Sequence, residues 1–263
     1  MAGPTTAERQ QQKSGPPRPQ RTRRVRSARP RTLVLALALA VLLAAGGIWA
    51  LYGSQWVRLE EVKASGTRVL TPREVIDAAD APVGEPLVSV DTDALEERLR
   101  SKLPRIDSVE VVRSWPHEIA LEVTERKPVL YLEKGGKFIE VDAEGVRFAT
   151  VEHAPTAVPR LELTPDHKND AASLRRFGTD RLLREAVRVV GDLPGAVARD
   201  TRKVKVRSYD SISLELSGGR AVVWGSGEKG RTKATTLTAL MKATPKARHF
   251  DVSAPTAPAS SGS

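Results

Sequence analysis

Residues 103–128 read LPRIDSVEVVRSWPHEIALEVTERKP, and this stretch decides the fold. Ile106 to Arg113 is β-branched and apolar, while Ile119, Leu121 and Val123 alternate with Ala120, Glu122 and Thr124, so two strands flank a turn at Ser114, Trp115, Pro116 and His117. Upstream, Leu95, Leu99 and Leu103 lie four apart on one face of a helix that begins around Asp91 and stops at Pro104. A loop with Pro82, Gly84 and Pro86 separates it from a shorter helix ending near Ala79. Thr71, Pro72 and Glu74 mark that helix's start: Thr71 caps, Pro72 fits the first position, and Glu74 completes a capping box. Val57 to Ala64 reads as a strand and Ser65, Gly66 and Thr67 as a turn. The order over 57–125 is β-α-α-β-β, with both helices on one face of a small sheet.

Downstream, residues 127–254 read as a second, mostly antiparallel β domain with two helices. Val129 to Leu132 and Lys137 to Val141 are strands joined by Gly135 and Gly136, which accept the positive φ of a tight turn. Glu152 to Arg176 is assigned as loop, and Asp180 to Val190 as a helix stopped at Gly191. Val204 and Val206, then Ile212, Leu214 and Leu216, then Ala221 and Val223 alternate with polar residues as a meander. Thr232 to Lys242 reads as the second helix and His249 to Ser253 as a last short strand. Pro255 and Pro258 end any pairing, so 255–263 reads as a disordered tail and the last strand as a sheet edge open to another chain's strand.

Upstream of both domains, Leu33 to Tyr52 runs twenty residues without a charge, enough helix to span roughly 30 Å of hydrocarbon. The apolar region of a cleaved signal peptide is shorter, about 7 to 15 residues, which favours a transmembrane anchor. Residues 1–32 are rich in Pro, Gln and Arg and read as a disordered basic cytoplasmic tail. Arg24, Arg26, Arg29 and Arg31 precede the span, and positively charged flanks stay in the cytoplasm, so everything after the span faces outward. Trp49, Tyr52 and Trp56 sit at the far end, where aromatic rings favour the headgroup layer of the bilayer. The net charge of +10 is a property of this tail: residues 1–31 hold nine Lys/Arg against Glu8 alone, which leaves +2 for the other 232 residues. Nucleic-acid binding is therefore not expected.

No cofactor is expected either. Cysteine is absent, and the four histidines His117, His153, His167 and His249 show no metal-ligand spacing. Gly225 to Thr232, GSGEKGRT, matches a phosphate-binding loop except that Arg231 replaces the lysine, and no Walker-B strand accompanies it. It reads as a Gly-rich strand-to-helix loop.

The module at 57–125 resembles a POTRA domain, and its phrases resemble the FtsQ/DivIB family. They are GEPLVSVD from Gly84 to Asp91, LPRIDSVEVVRSWP from Leu103 to Pro116, VTERKP from Val123 to Pro128, and the hydrophobic-Asp-x-x-Gly hairpin at Val141, Asp142, Gly145, Val146 and Phe148. Arg113, Trp115, Pro116, Glu125, Pro128, Asp142 and Gly145 carry this signature and are expected to be structural. The resemblance implies an α+β protein and a non-enzymatic, essential-type scaffold of the division machinery, enriched at the septum. It also implies that the POTRA domain meets other division proteins, and that the β domain binds the FtsB (DivIC) and FtsL pair through its C-terminal edge. That edge falls on Arg220, Val222, Trp224, Phe250, Asp251, Val252, Ser253 and Ala254. Phe250 and Val252 have the alternative reading of simple core residues.

Overall fold

The computed structural model describes residues 30–53, 55–164 and 170–262, with backbone only at 30 and 170–177. Arg24, Arg26 and Arg29 lie outside them, as do Pro165, Asp166 and His167 of the assigned loop. Compact packing divides the chain into two units, 1–50 and 51–263. The first is dominated by α1 (Pro30–Gly53), whose segment from Arg31 to Gly53 is long and apolar enough to cross a membrane.

The second unit opens with a three-stranded sheet made of β1 (Glu61–Ser65), β2 (Ile106–Ser114) and β3 (Glu118–Glu125). The order is β1-β3-β2, with β1 parallel and β2 antiparallel to the central β3. Two helices cover one face, α2 (Pro72–Ala79) and α3 (Thr92–Lys102). The capping box forms as its spacing predicts: Thr71 accepts from the Glu74 N–H at 3.2 Å and the Thr71 N–H donates to the Glu74 carboxylate at 2.7 Å. Asp91 caps α3 through the Ala94 N–H. Leu95 and Leu99 are buried with Val75, Leu87, Ile119 and Leu121, and Leu103 packs at the margin of the same core. The first strand begins later than the sequence suggests, because residues 55–57 form a 3-10 turn and Leu59 pairs with the 84–85 loop instead of a ladder.

The remainder forms one nine-stranded sheet, ordered β12-β11-β10-β9-β8-β7-β4-β5-β6. Its strands are β4 (Leu130–Lys134), β5 (Lys137–Val141), β6 (Arg147–Val151), β7 (Arg160–Leu163), β8 (Thr201–Ser208), β9 (Ser211–Leu216), β10 (Ala221–Gly225), β11 (His249–Asp251) and β12 (Ala259–Ser261). Pairing is mostly antiparallel, with parallel steps at β4–β7, β7–β8 and β10–β11. Gly135 and Gly136 take φ values of 61° and 77° in the β4–β5 turn. Helices α4 (Asp170–Asp192) and α6 (Gly230–Ala243) supply Leu182, Leu183, Ala186 and Leu237 to the core over the sheet.

Four expectations need correction. The stretch assigned as loop contains β7, whose Leu161 is buried between β4 and β8, and the start of α4, which is interrupted at the positive-φ Gly178. A third helix, α5 (Gly195–Asp200), precedes β8. The strand expected over 249–253 stops at Asp251, whose carboxylate accepts from the Ser253 N–H at 2.9 Å and turns the chain. The tail expected to be disordered over 255–263 is ordered in its described part: after the prolines the chain doubles back, and Ala259–Ser261 pairs antiparallel with β11. The sheet therefore ends at β12, not at β11.

The outer sheet face carries a charge ladder: Lys203 bridges Glu162 at 3.1 Å and Glu215 at 3.5 Å, and Lys205 pairs with Glu215. The Lys205 hydrogen bond holds the Glu215 carboxyl below its ordinary range, and the Glu162 hydrogen bond raises Lys203. A depressed carboxyl stabilises the fold above its unfolded pKa and loses that contribution as pH falls through the folded one. Urea titrations between about pH 5 and pH 3 should therefore show a shallower loss of stability in Glu215→Gln than in the parent chain. Within the first core, Leu99→Ala should cost roughly 2–5 kcal/mol. The half-exposed Val112→Ser should stay within about 0.5 kcal/mol.

Candidate functional site

At the end of β3, Glu125 is almost fully buried, and its carboxylate accepts the N–H groups of Arg68 at 2.6 Å, Val69 at 3.0 Å and Leu70 at 3.0 Å. These amides belong to the segment turning from β1 into α2, where no strand is available to pair them. Entry to that turn needs Gly66, because a Cβ there would collide with the Val123 carbonyl. The next residue, Arg126, pairs with Asp107 at 3.1 Å and with Asp142 of the second module. Asp142 in turn accepts the N–H groups of Glu144 at 3.0 Å and Val146 at 2.7 Å, which shapes the β5–β6 turn around the positive-φ Gly145. Alongside, Arg105 donates to Glu140 at 2.7 Å and stacks over the Phe148 ring at 5.2 Å. The two sheets are thus tied by paired charges shielded from solvent.

At the other end of the sheet, β10 lies between β9 and β11, so its main chain is already paired on both sides. Val222, Trp224, Phe250 and Val252 are all buried in the second core. Arg220 pairs with Asp200 beside the Ser217 carbonyl. Asp251 is engaged by Ser253, while Ser253 and Ala254 are exposed. Beyond them β12 pairs on one side only, and next to it Thr244, Pro245, Lys246, Ala247, Ser260 and Ser261 line a shallow, largely apolar groove.

The Gly225–Thr232 loop joins β10 to α6 and packs directly on α4: a Cβ at Gly227 would collide with the Glu185 carboxylate, and one at Gly230 with that of Asp192. The amino end of α6, where a bound phosphate would sit in a nucleotide loop, therefore faces a carboxylate of the chain itself. Lys233, one turn into α6, is buried and donates to the carbonyls of Trp224 at 2.9 Å and Ser226 at 2.8 Å, and burial pushes its pKa down. Among the described residues no three His, Asp or Glu come together as a metal site.

Residues 57–126 match the family described as POTRA domain, FtsQ-type. Over their full lengths, the chain is 67% identical to the Cell division protein FtsQ of Streptomyces coelicolor and 68% identical to that of Streptomyces collinus. The chain belongs to the FtsQ family of cell division proteins. A more distant relative, the Cell division protein FtsQ of Mycolicibacterium smegmatis, is 34% identical over 86% of this chain and 61% of its own length.

For this FtsQ-family chain, the signature residues fall into two groups. Glu125, Asp142 and Gly145 build the junction between the modules, and Pro128 lines the cleft beside it. Arg113 lies away from it and donates to the Val90 carbonyl at 2.6 Å. Trp115 and Pro116, joined by a cis peptide, form the β2–β3 turn, with Trp115 about half exposed. Of the eight residues expected at the partner edge, four are core, and the strand that ends the sheet was not among them. Ala-Ser-Ser carries no apolar alternation, so only its position as a return segment after Pro255 and Pro258 could have signalled it. Replacing Glu125 by Ala strands three amides and should destabilise the chain by about 1–3 kcal/mol. Glu125→Gln, which retains one acceptor oxygen, should lose less, as read from urea midpoints.

Proposed function

We propose that this chain is a non-catalytic, essential-type scaffold of the division machinery, anchored by α1 with its amino terminus in the cytoplasm and both folded modules outside. Enrichment at the division septum follows from that role. The β domain captures the FtsB (DivIC)/FtsL pair, the POTRA domain meets other division proteins, and the assembly links early ring formation to septal wall synthesis. One observation carries the partner reading: among the described residues, β12 leaves one side of its main chain unpaired at the end of a nine-stranded sheet. An added strand gains its affinity from main-chain hydrogen bonds, which depend little on side chains, and Ala259, Ser260 and Ser261 are small enough to let another backbone approach. Of the residues first assigned to the edge, Arg220, Asp251, Ser253 and Ala254 are not in the core and remain as flanking contacts. Val222, Trp224, Phe250 and Val252 act from beneath by fixing β10 and β11.

The basic segment with Arg24, Arg26, Arg29 and Arg31 sets the orientation. The main function is tested by co-purifying the full chain with FtsB- and FtsL-type proteins of the same cell, with and without residues 256–263. Deletion should abolish capture while the remaining domain still melts cooperatively. Undiminished capture by the deleted chain would move the contact away from β12.

A further inference from the structure

Three segments of the POTRA domain meet at residues 58–61. The Leu59 N–H donates to the Glu85 carbonyl and the Gly84 N–H to the Leu59 carbonyl, both at 2.8 Å. Arg58 adds a bond to the Gly84 carbonyl at 2.7 Å. On the other side, the N–H groups of Glu60 and Glu61 donate to the His117 carbonyl at 2.8 Å and 3.3 Å. The loop at 81–86 and the turn at 114–117 therefore flank the strand entry. Leu59 follows Gly53, the last residue of α1, by six residues, a tether of at most about 22 Å even when fully extended. The 3-10 turn at 55–57 shortens it further, since such a turn rises only about 2 Å per residue.

These segments turn three large apolar side chains outward, among the exposed Glu60, Glu85 and His117. Trp56 is 86% exposed, Val83 64% and Trp115 53%, while Leu59 and Leu87 next to them are fully buried. Large exposed apolar side chains brought together from three separate segments mark a contact surface, and indole rings favour the headgroup layer over both water and hydrocarbon. Charges at this end are mixed in sign: Arg58 bonds the Gly84 carbonyl, Arg113 bonds the Val90 carbonyl and Glu118 pairs with Lys63, while Glu60 and Glu85 are exposed. Little free positive charge is left to select anionic lipid.

We propose that this end of the POTRA domain is a membrane foot, in which Trp56, Val83 and Trp115 enter the headgroup layer of the bilayer crossed by α1. The short tether and the continuity with an aromatic-flanked span identify the occupant as the lipid surface. The proposal rests on the reading of α1 as a membrane span. The foot would restrict how the domain tilts on its tether, and it gives the exposed turn at Trp115 a role beyond closing the β2–β3 hairpin.

Because the chain contains no cysteine, a nitroxide can be placed at one position at a time in the full-length protein held in zwitterionic lipid nanodiscs. Val83→Cys probes the foot, Leu42→Cys the middle of the span, and Val146→Cys a solvent-facing site in the β domain. The expected result is a severalfold lower collision rate with a water-soluble nickel chelate at 83 than at 146, unchanged at high salt. Adding Trp56→Ser should raise that rate at 83 without altering the melting transition. Equal chelate access at 83 and 146, with position 42 reading as deep, would overturn the foot while leaving the span intact. Protection at 83 that vanishes in high salt would also overturn it, as an electrostatic contact. Chelate access at 42 would instead remove the span, and the foot with it.

Discussion

The carboxylate of Glu125 holds together segments that no strand can pair. β3 is the only strand in its sheet with partners on both sides, and it ends where the chain must also close the turn from β1 into α2. Three part-buried amides face this point, and leaving them without their acceptor costs about 1–3 kcal/mol in all. With Glu125 in place, Arg126 is set beside Asp107 and Asp142, and Asp142 orders the next turn along. Two adjacent residues thus connect the first module, the start of β2 and the β5–β6 turn. Charges buried this way hold their geometry strictly, because separating either partner leaves the other uncompensated. The two modules are consequently joined by a specified contact and not by a loose linker.

Much of this was legible in the sequence because it is written locally. The capping box at Thr71, the four-residue spacing of Leu95 and Leu99, the Gly135-Gly136 turn and the alternation through β3 and β9 each depend on a few neighbouring residues, and each formed as read. The failures have a common cause in long-range pairing. β7 is four residues long, too short for period-2 alternation to stand out, and it is a strand because β4 and β8 close on it from distant parts of the chain. β12 has no apolar residue larger than alanine and exists only through its backbone pairing with β11. At the candidate site the sheet ends one strand beyond the edge expected at β11, and Phe250 and Val252 take the core reading that stood as their alternative. Val222 and Trp224, placed on the same edge by the resemblance, are core as well.

The Gly225–Thr232 loop shows how a sequence match can arise without the chemistry it suggests. Its glycines allow the crossover into α6 to lie against the acidic side of α4, where Glu185 and Asp192 occupy the space a side chain would need. The neighbouring lysine at 233 is spent on two carbonyls of the preceding strand and its loop. Close backbone approach, a requirement shared with phosphate cradles, serves here to fix the parallel step between β10 and β11.

From β7 outward to β12, the strands follow one another in space in the same order as in the chain. Each new strand needs its predecessor as a template, so this half of the sheet can grow in one direction, outward from β7. β12 is added after every strand it depends on, and it becomes available only when the crossover through α6 and the return past Pro258 are complete. A chain cut short before Ala259 would therefore lack the strand that ends the sheet.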